Sequence, residues 1–149
     1  MSKRSASLFK QILIVTQLLT YDVLAANYQR HDDLDVVIDN RYGLMWQDDL
    51  YSSRLDMPFS KAIEYCETLK FAGFDDWSLP HLDALKSLIQ TENYPLSIDK
   101  TFKYTASEYY WSDRNYKDKY AWIVLFRNGS IEYYYKTDTN HLRCVRVNK

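Results

Sequence analysis

The spacing of hydrophobic residues changes several times along this chain, and each change marks a predicted element. Two β-favouring runs, Val36–Ile38 and Leu44–Trp46, flank a turn rich in Asp, Asn and Gly. This arrangement predicts a hairpin at the start of the folded part. Residues 51–58 show neither a strand period nor a helix period, so they predict a loop.

A first helix is predicted to begin after Ser60, which is a favourable N-cap residue. Gly73 stands where a left-handed C-terminal cap would fall. The helix should turn Cys66 inward, because Cys66 belongs to its apolar face. The apolar positions at helical spacing are Ala62, Ile63, Cys66 and Leu69.

A second helix is predicted after the short extended segment Trp77–Leu79, which Pro80 ends. This helix should end by Asn93-Tyr94-Pro95, since the α-helical conformation is disfavoured for the residue before a proline. Its apolar positions are Leu82, Leu85, Leu88 and Ile89.

The C-terminal half is predicted to be β-rich. Within Tyr120–Phe126 both alternate sets of side chains are apolar, as expected for a central strand covered on both faces. Asn128-Gly129 is a strong hairpin turn signal. The strands predicted around these are Tyr109–Trp111, Ile131–Tyr135 and a final strand Leu142–Val147 that carries Cys144. Strands, two helices and then antiparallel strands indicate the α+β class.

Residues 1–26 have the pattern of a secretory signal peptide. Lys3, Arg4 and Lys10 precede a short apolar stretch, and cleavage would follow Ala25 or Ala26. The stretch is too short and too polar to span a bilayer. The alternative interpretation is an N-terminal membrane anchor or a buried helix. With cleavage, residues 27–149 would form a single domain that does not span a membrane.

Composition limits the classes of partner. A hydrophobic fraction of 46% is ample for a packed core, and the chain holds 14 Tyr. Without residues 1–26 the formal net charge is about −3, from 16 basic and 19 acidic residues. A weakly acidic domain has no long-range attraction for nucleic acid, which excludes that partner class. Arg143 and Arg146 are the expected seed of any local basic patch.

The predicted export decides how the two cysteines, Cys66 and Cys144, are interpreted. In an oxidising compartment an even number of cysteines without close spacing favours a disulfide. Two buried thiols are the alternative, and would be favoured if the protein stayed in the cytoplasm.

The glycines, tryptophans and cysteines concentrate in a series of short cassettes. These are Gly43–Gln47, Cys66, Gly73–Pro80, Tyr110–Ser112, Ala121-Trp122, Asn128-Gly129 and Arg143–Arg146. The series resembles a bacterial exported-domain family named after the C-terminal domain of the Legionella collagen-like protein. The resemblance covers about residues 36–147 and gives structural roles to Gly43, Trp46, Gly73, Trp77, Pro80, Trp122, Gly129 and Arg143.

The resemblance implies a C-type lectin-like fold, with two helices packed on a mainly antiparallel sheet. It also implies a disulfide from the first helix to the last strand, which would join Cys66 to Cys144. Ser78, His81 and Ala84 depart from the family pattern, and His81 is a poorer N-cap than the usual Thr. The related formylglycine-generating enzymes show that this fold hosts several functions.

Known chemical signatures are weak in this sequence. A formylglycine-generating type of oxidase needs reactive cysteines, yet both cysteines stand at the disulfide positions. His31, His81 and His141 show no metal-ligand spacing, so no metal site or cofactor is predicted. A calcium site at Trp111-Ser112-Asp113 is the weaker alternative, since the loop that accompanies such sites in calcium-dependent lectins is missing.

The strongest functional signal lies between Tyr104 and His141, where eight Tyr occur with Asp, Asn and Arg. Such a mixture is typical of adaptable recognition surfaces. Strand packing is the alternative explanation for about half of these tyrosines. The predicted ligand contacts are Trp111, Asp113, Arg114, Tyr116, Tyr133, Tyr135, Asp138 and Asn140.

Together these observations predict a non-catalytic binding module, exported to the periplasm, the cell surface or the exterior. Its expected ligand is a carbohydrate or a polyanion. A protein-recognising subunit of an envelope or appendage complex is the first alternative, and it would show its exposed aromatic residues as one contiguous patch. An oxidase-like enzyme is the second, and would need Cys66 or Cys144 as a free thiol.

Overall fold

A computed structural model describes residues 27–149, so the predicted signal peptide and its cleavage site lie outside the described residues. The chain forms two sheets. The first is antiparallel, in the order β1-β2-β3-β9. Its strands are β1 (Tyr28–His31), β2 (Val36–Asp39), β3 (Leu44–Gln47) and β9 (Val145–Val147). The predicted N-terminal hairpin is confirmed as β2 and β3.

The second sheet has the order β4-β8-β5-β6-β7 and is antiparallel except for one parallel pair between β5 and β8. Its strands are β4 (Asp56–Pro58), β5 (Tyr109–Tyr116), β6 (Tyr120–Leu125), β7 (Ser130–Tyr135) and β8 (Thr139–His141). Gly129, with a φ of 77°, closes the turn between β6 and β7 as predicted.

Three short helices complete the described part: α1 (Tyr51–Arg54), α2 (Phe59–Thr68) and α3 (Leu82–Lys86). The α+β class is therefore confirmed. The expectation of one sheet with two helices is wrong in detail, because the last strand, β9, pairs with β3 in the first sheet and does not join the second.

Several predicted boundaries are wrong, and tertiary contacts explain them. Residues 51–58 hold α1 and β4 instead of a loop, because β4 pairs with β8, a strand far along the chain. Helix α2 begins at Phe59 rather than after Ser60, since Pro58 precedes it and the Phe59 N–H donates to the Lys136 carbonyl at 3.0 Å. It ends at Thr68, so Gly73, with a φ of 82°, lies in a later turn and not at the helix cap.

The other boundary errors concern short or irregular elements. Helix α3 ends at Lys86, several residues before the predicted end. Strand β5 extends to Tyr116 through a bulge between Trp111 and Asn115. Strands β1 and β8 are absent from the sequence prediction, and Cys144 lies just before β9 instead of within it.

Two clusters of buried side chains lie on opposite faces of the second sheet. One holds Trp111 and Ile123 with α2, and the other holds Tyr110 and Val124 with α3. Strand β6 is therefore covered on both faces along most of its length, which confirms the prediction for the central strand, whereas β5 is buried only from Tyr110 to Ser112. The covering is incomplete at one end, because α3 is only five residues long.

The predicted disulfide is present. Cys66 in α2 and Cys144 are bonded, with their Cα atoms 5.5 Å apart. Both residues are fully buried, so the bond lies inside the core and not at the surface. Closing a loop of 78 residues stabilises a fold by about 4–5 kcal/mol in the chain-entropy model.

The Arg143 guanidinium occupies the interior. Its Nη1 donates to Asp48 Oδ1 at 2.6 Å and to the Gln47 carbonyl at 2.8 Å, and both charged side chains are completely buried. Arg146 is also buried and pairs with Asp76 at 2.5 Å. The expectation that Arg143 and Arg146 seed a basic surface patch is therefore wrong, because both cations are neutralised beneath the surface.

Replacing Arg143 with alanine should lower the free energy of unfolding by about 3–5 kcal/mol, since it removes one partner of a buried ion pair. Urea unfolding followed by circular dichroism measures this change. Arg127→Ala is the matched control, because Arg127 pairs with Glu108 at the surface, 60% exposed, and should cost less than about 1 kcal/mol. Equal effects of the two substitutions would contradict the role given to Arg143.

Candidate functional site

Five aromatic side chains lie together on one face of the second sheet. The strand register places Tyr120 opposite Tyr135, Trp122 opposite Tyr133 and Tyr116 opposite Tyr120. Directly opposed residues point to the same side of a sheet, so all five rings share a face. This set, called here the tyrosine surface, consists of Tyr116, Tyr120, Trp122, Tyr133 and Tyr135.

The rings of the tyrosine surface hold one another in place. The centroids of Tyr116 and Tyr133 are 4.2 Å apart, and those of Tyr120 and Tyr135 are 4.5 Å apart. Trp122 meets Tyr116 edge to face at 5.1 Å. Such pairs contribute about 0.5–1.5 kcal/mol beyond their buried area. The surface is therefore ordered in advance, although Tyr133 and Tyr135 remain 46% and 50% exposed.

Charged groups of both signs surround the tyrosine surface. The Lys117 ammonium lies 5.3 Å from the centroid of the Tyr116 ring. The Lys136 side chain lies on the opposite face of the sheet, 5.6 Å from the centroid of the Phe59 ring, and its ammonium donates to the Asp118 carbonyl at 2.9 Å. Asp118 and Asp138 are exposed nearby in the sequence. The surroundings are therefore mixed in charge and present no concentrated positive patch.

A hydrogen bond between two tyrosine hydroxyls changes the acidity of this surface. The side-chain hydrogen bond with Tyr135 raises the pKa of Tyr120 above its ordinary value, and burial and nearby tyrosines act in the same direction. The neutral form of the Tyr120 hydroxyl is therefore favoured.

A cleft of about 850 Å³ opens between α3 and the bulge of β5. His81 Nδ1 lies 2.6 Å from Asp113 Oδ2 across one side, and the Asp113 N–H donates to the Pro80 carbonyl at 2.8 Å. The lining residues are Tyr42, Leu44, His81, Leu82, Asp83, Ala84, Ser87, Asp113 and Arg114. His81 thus ties the start of α3 to the bulge instead of capping the helix, since its side chain makes no capping hydrogen bond.

The structure separates six of the eight predicted contacts into three groups. Tyr116, Tyr133 and Tyr135 belong to the tyrosine surface. Asp113 and Arg114 line the cleft. Asp138 is exposed and follows Tyr135 in a turn, where its N–H donates to the Tyr135 carbonyl at 3.0 Å.

Trp111 and Asn140 do not belong to an exposed site, and their prediction as contacts is wrong. Trp111 is completely buried, its ring meets Phe59 at 5.5 Å, and its indole N–H donates to the Met57 carbonyl at 2.9 Å. Asn140 is only 6% exposed, because β8 lies between β4 and β5 in the interior of the sheet.

The order of strands and the disulfide match the sequence cassettes, and a comparison with protein families decides the identity. The profile of the Lcl C-terminal domain family matches residues 35–146. The chain belongs to the Lcl C-terminal domain family. The resemblance seen in the cassettes is thereby confirmed. No curated protein sequence matches this Lcl C-terminal domain.

Sequence reasoning missed two members of the tyrosine surface. Tyr120 was predicted only as the start of a strand and Trp122 only as a scaffold residue, although the two lie two positions apart on one strand and so point to the same face. The register of β6 with β7 supplies the missing information, because it sets these residues opposite Tyr135 and Tyr133. His81 and Tyr42 in the cleft were also absent from the predicted contacts.

The described part of this Lcl C-terminal domain contains no cluster of three or more His, Cys, Asp or Glu residues suited to a metal ion. Asp113 is the acidic residue of the calcium site considered as the weaker alternative, and its carboxylate lies 2.6 Å from His81 Nδ1. Between residues 27 and 149 there is likewise no helix long and apolar enough to cross a membrane.

Replacing Tyr135 with phenylalanine should lower the pKa of Tyr120, because it removes the hydroxyl that holds the neutral form. The measurement is a pH titration of tyrosine ζ-carbon resonances in selectively labelled protein. Tyr134→Phe is the control, since Tyr134 lies on the opposite face and contacts Tyr109. An unchanged titration of Tyr120 in the Tyr135 variant would refute the hydrogen bond.

Proposed function

We propose that this Lcl C-terminal domain is an exported, non-catalytic binding module that recognises carbohydrate through the tyrosine surface. The observation that carries the proposal is the set of five ordered aromatic rings on one partly uncovered sheet face. Flat rings pack against the apolar C–H faces of sugar rings, and the tyrosine hydroxyls hydrogen-bond to sugar hydroxyls.

A neutral or weakly charged glycan fits this surface better than a polyanion does. Arg143 and Arg146 lie inside the protein, and Arg143 is completely buried. Near the rings, the Lys117 ammonium lies 5.3 Å from the centroid of the Tyr116 ring, whereas Lys136 lies on the opposite face of the sheet, beside Phe59. A polyanion requires several unpaired cations on one face, which strengthen binding through release of counterions.

The disulfide supports both export and the absence of catalysis. A disulfide persists in oxidising compartments, which agrees with the signal peptide expected at residues 1–26. An oxidase on a formylglycine-generating scaffold would need a free thiol, whereas Cys66 and Cys144 are bonded to each other. The same bond, from helix α2 to the residue before the last strand, supports the C-type lectin-like fold.

Recognition of a protein in an envelope complex is the second candidate function. It is favoured by the contiguity of the exposed rings, which is the arrangement that this alternative requires. Contiguous apolar patches with a polar rim mark protein interfaces as well as ligand grooves. Tyr and Trp are also enriched at the centres of such interfaces.

Glycan-array binding of the purified domain tests the two functions. Tyr133→Ala and Tyr135→Ala should each weaken binding to the selected glycan at least about tenfold, which corresponds to about 1.4 kcal/mol. Tyr134→Ala is the matched control, since it lies on the same strand but on the opposite face, and it should leave binding unchanged. A calcium chelator should also leave binding unchanged.

Two results would contradict the carbohydrate proposal. One is a folded domain that selects no glycan, and the other is equal loss of binding in the Tyr134 control. If the domain selects no glycan but cross-links to one envelope protein through residues at positions 133 and 135, the second candidate function is supported instead.

A further inference from the structure

Strand β7 forms an open edge of the second sheet. It pairs with β6 and ends the strand order, and no other described strand pairs with its outer side. Five of its six residues are exposed, from Ile131 to Tyr135. An edge of this kind presents a row of unpaired backbone groups to whatever lies beside it.

The phase of the β6–β7 ladder identifies the backbone groups that point outward. The Lys136 N–H donates to the Lys119 carbonyl at 2.9 Å, and these two residues lie one position beyond the opposed pair Tyr120 and Tyr135. In an antiparallel ladder the directly opposed bonded pairs recur at every second residue. The even-numbered residues of β7 therefore bond to β6, and the odd-numbered Ile131, Tyr133 and Tyr135 direct their N–H groups outward.

Strand β7 has few of the features that normally prevent edge pairing. Such features are proline, a bulge, an inward-pointing charge or a covering element. The β6–β7 register runs without a shift from Tyr120 to Leu125, and Ser130–Tyr135 contains no proline. Glu132 is its single charged residue, and it lies on the face opposite the tyrosine surface.

We propose that a second copy of this chain occupies this edge, pairing its own β7 antiparallel to the first around a two-fold axis. The register sets Tyr133 of each copy opposite Tyr135 of the other. Both residues direct backbone groups outward, and the Tyr135 carbonyl, which already accepts from the Asp138 N–H at 3.0 Å, accepts the ladder bond through its other lone pair. The pair therefore forms ladder hydrogen bonds without disturbing β6. The two five-stranded sheets become one continuous sheet.

Charge complementarity selects this register and this occupant. Glu132 lies within β7, and Lys136 follows directly after its end with its side chain on the same face. The register sets Glu132 of each copy opposite Lys136 of the other, where the carboxylate takes the place of the Asp118 carbonyl as acceptor for the ammonium. Opposite charges directly across a ladder stabilise it, and like charges destabilise it. Shifting the register by four residues would set Glu132 against Glu132. Because the favourable pair occurs twice, the edge is complementary to itself, as a two-fold interface requires.

The pairing doubles the tyrosine surface. A two-fold axis perpendicular to a sheet keeps each face on its own side, so both sets of rings face the same way. Two linked surfaces bind a repeating ligand more tightly than one, through effective concentration. The dimer itself does not depend on the class of ligand.

Sedimentation equilibrium of the purified protein over a range of concentrations tests the pairing. Wild-type protein should show a reversible monomer–dimer equilibrium. Glu132→Lys and Lys136→Glu should each weaken dimerisation about tenfold, because each variant creates two like-charge pairs. The double variant carrying both exchanges should restore it, which a merely structural effect would not produce.

Two further variants separate backbone pairing from ring contacts. Tyr133→Pro removes an outward N–H that the β6 ladder does not use, and should abolish the dimer. Tyr133→Val keeps that N–H and should retain most of the dimer. Circular dichroism checks that every variant folds. A monomer at all concentrations, or a dimer that the single charge reversals and Tyr133→Pro leave unchanged, would overturn the proposal.

Discussion

The buried carboxylate of Asp48 is the interaction on which the arrangement of this domain depends. It accepts hydrogen bonds from Arg30, Arg143 and the backbone N–H groups of Lys103 and Tyr104. A charge inside a protein is tolerated only when its bonding capacity is filled by partners. Asp48 therefore requires segments from both ends of the chain to meet at one point, directly after β3.

That meeting point fixes the parts that carry the candidate site. Arg143 precedes Cys144, so the ion pair and the disulfide act on neighbouring residues and hold the approach to β9 from two directions. The carbonyl of Tyr104 and the hydroxyl of Thr105 accept from the other side of the Arg143 guanidinium at 2.6 and 2.7 Å. The segment that leads into β5 is thus anchored, and β5 brings β6 and β7 into place.

Local signals predicted the hairpins, because turn residues act over a few positions. The cysteine pair, 78 positions apart, was predicted from the even number of cysteines, the expected export and the family resemblance. Local signals failed where a distant partner decides the outcome. Arg143 resembles a surface cation until Asp48, 95 positions earlier, is seen to pair with it. Trp111 and Trp122 both lie in apolar strand segments, so the sequence does not distinguish them. Helix α2 packs on Trp111 and buries it, whereas the short helix α3 leaves Trp122 half-buried.

The separation between the anchoring contacts and the outermost hairpin strand has an evolutionary consequence. Strand β7 contributes no residue to either group of buried side chains. Apart from the ring pairs of Tyr133 and Tyr135, substitutions there cost little folding energy, because surface changes typically alter stability by less than about 0.5 kcal/mol. The sequence of this strand can therefore change while the frame beneath it stays folded.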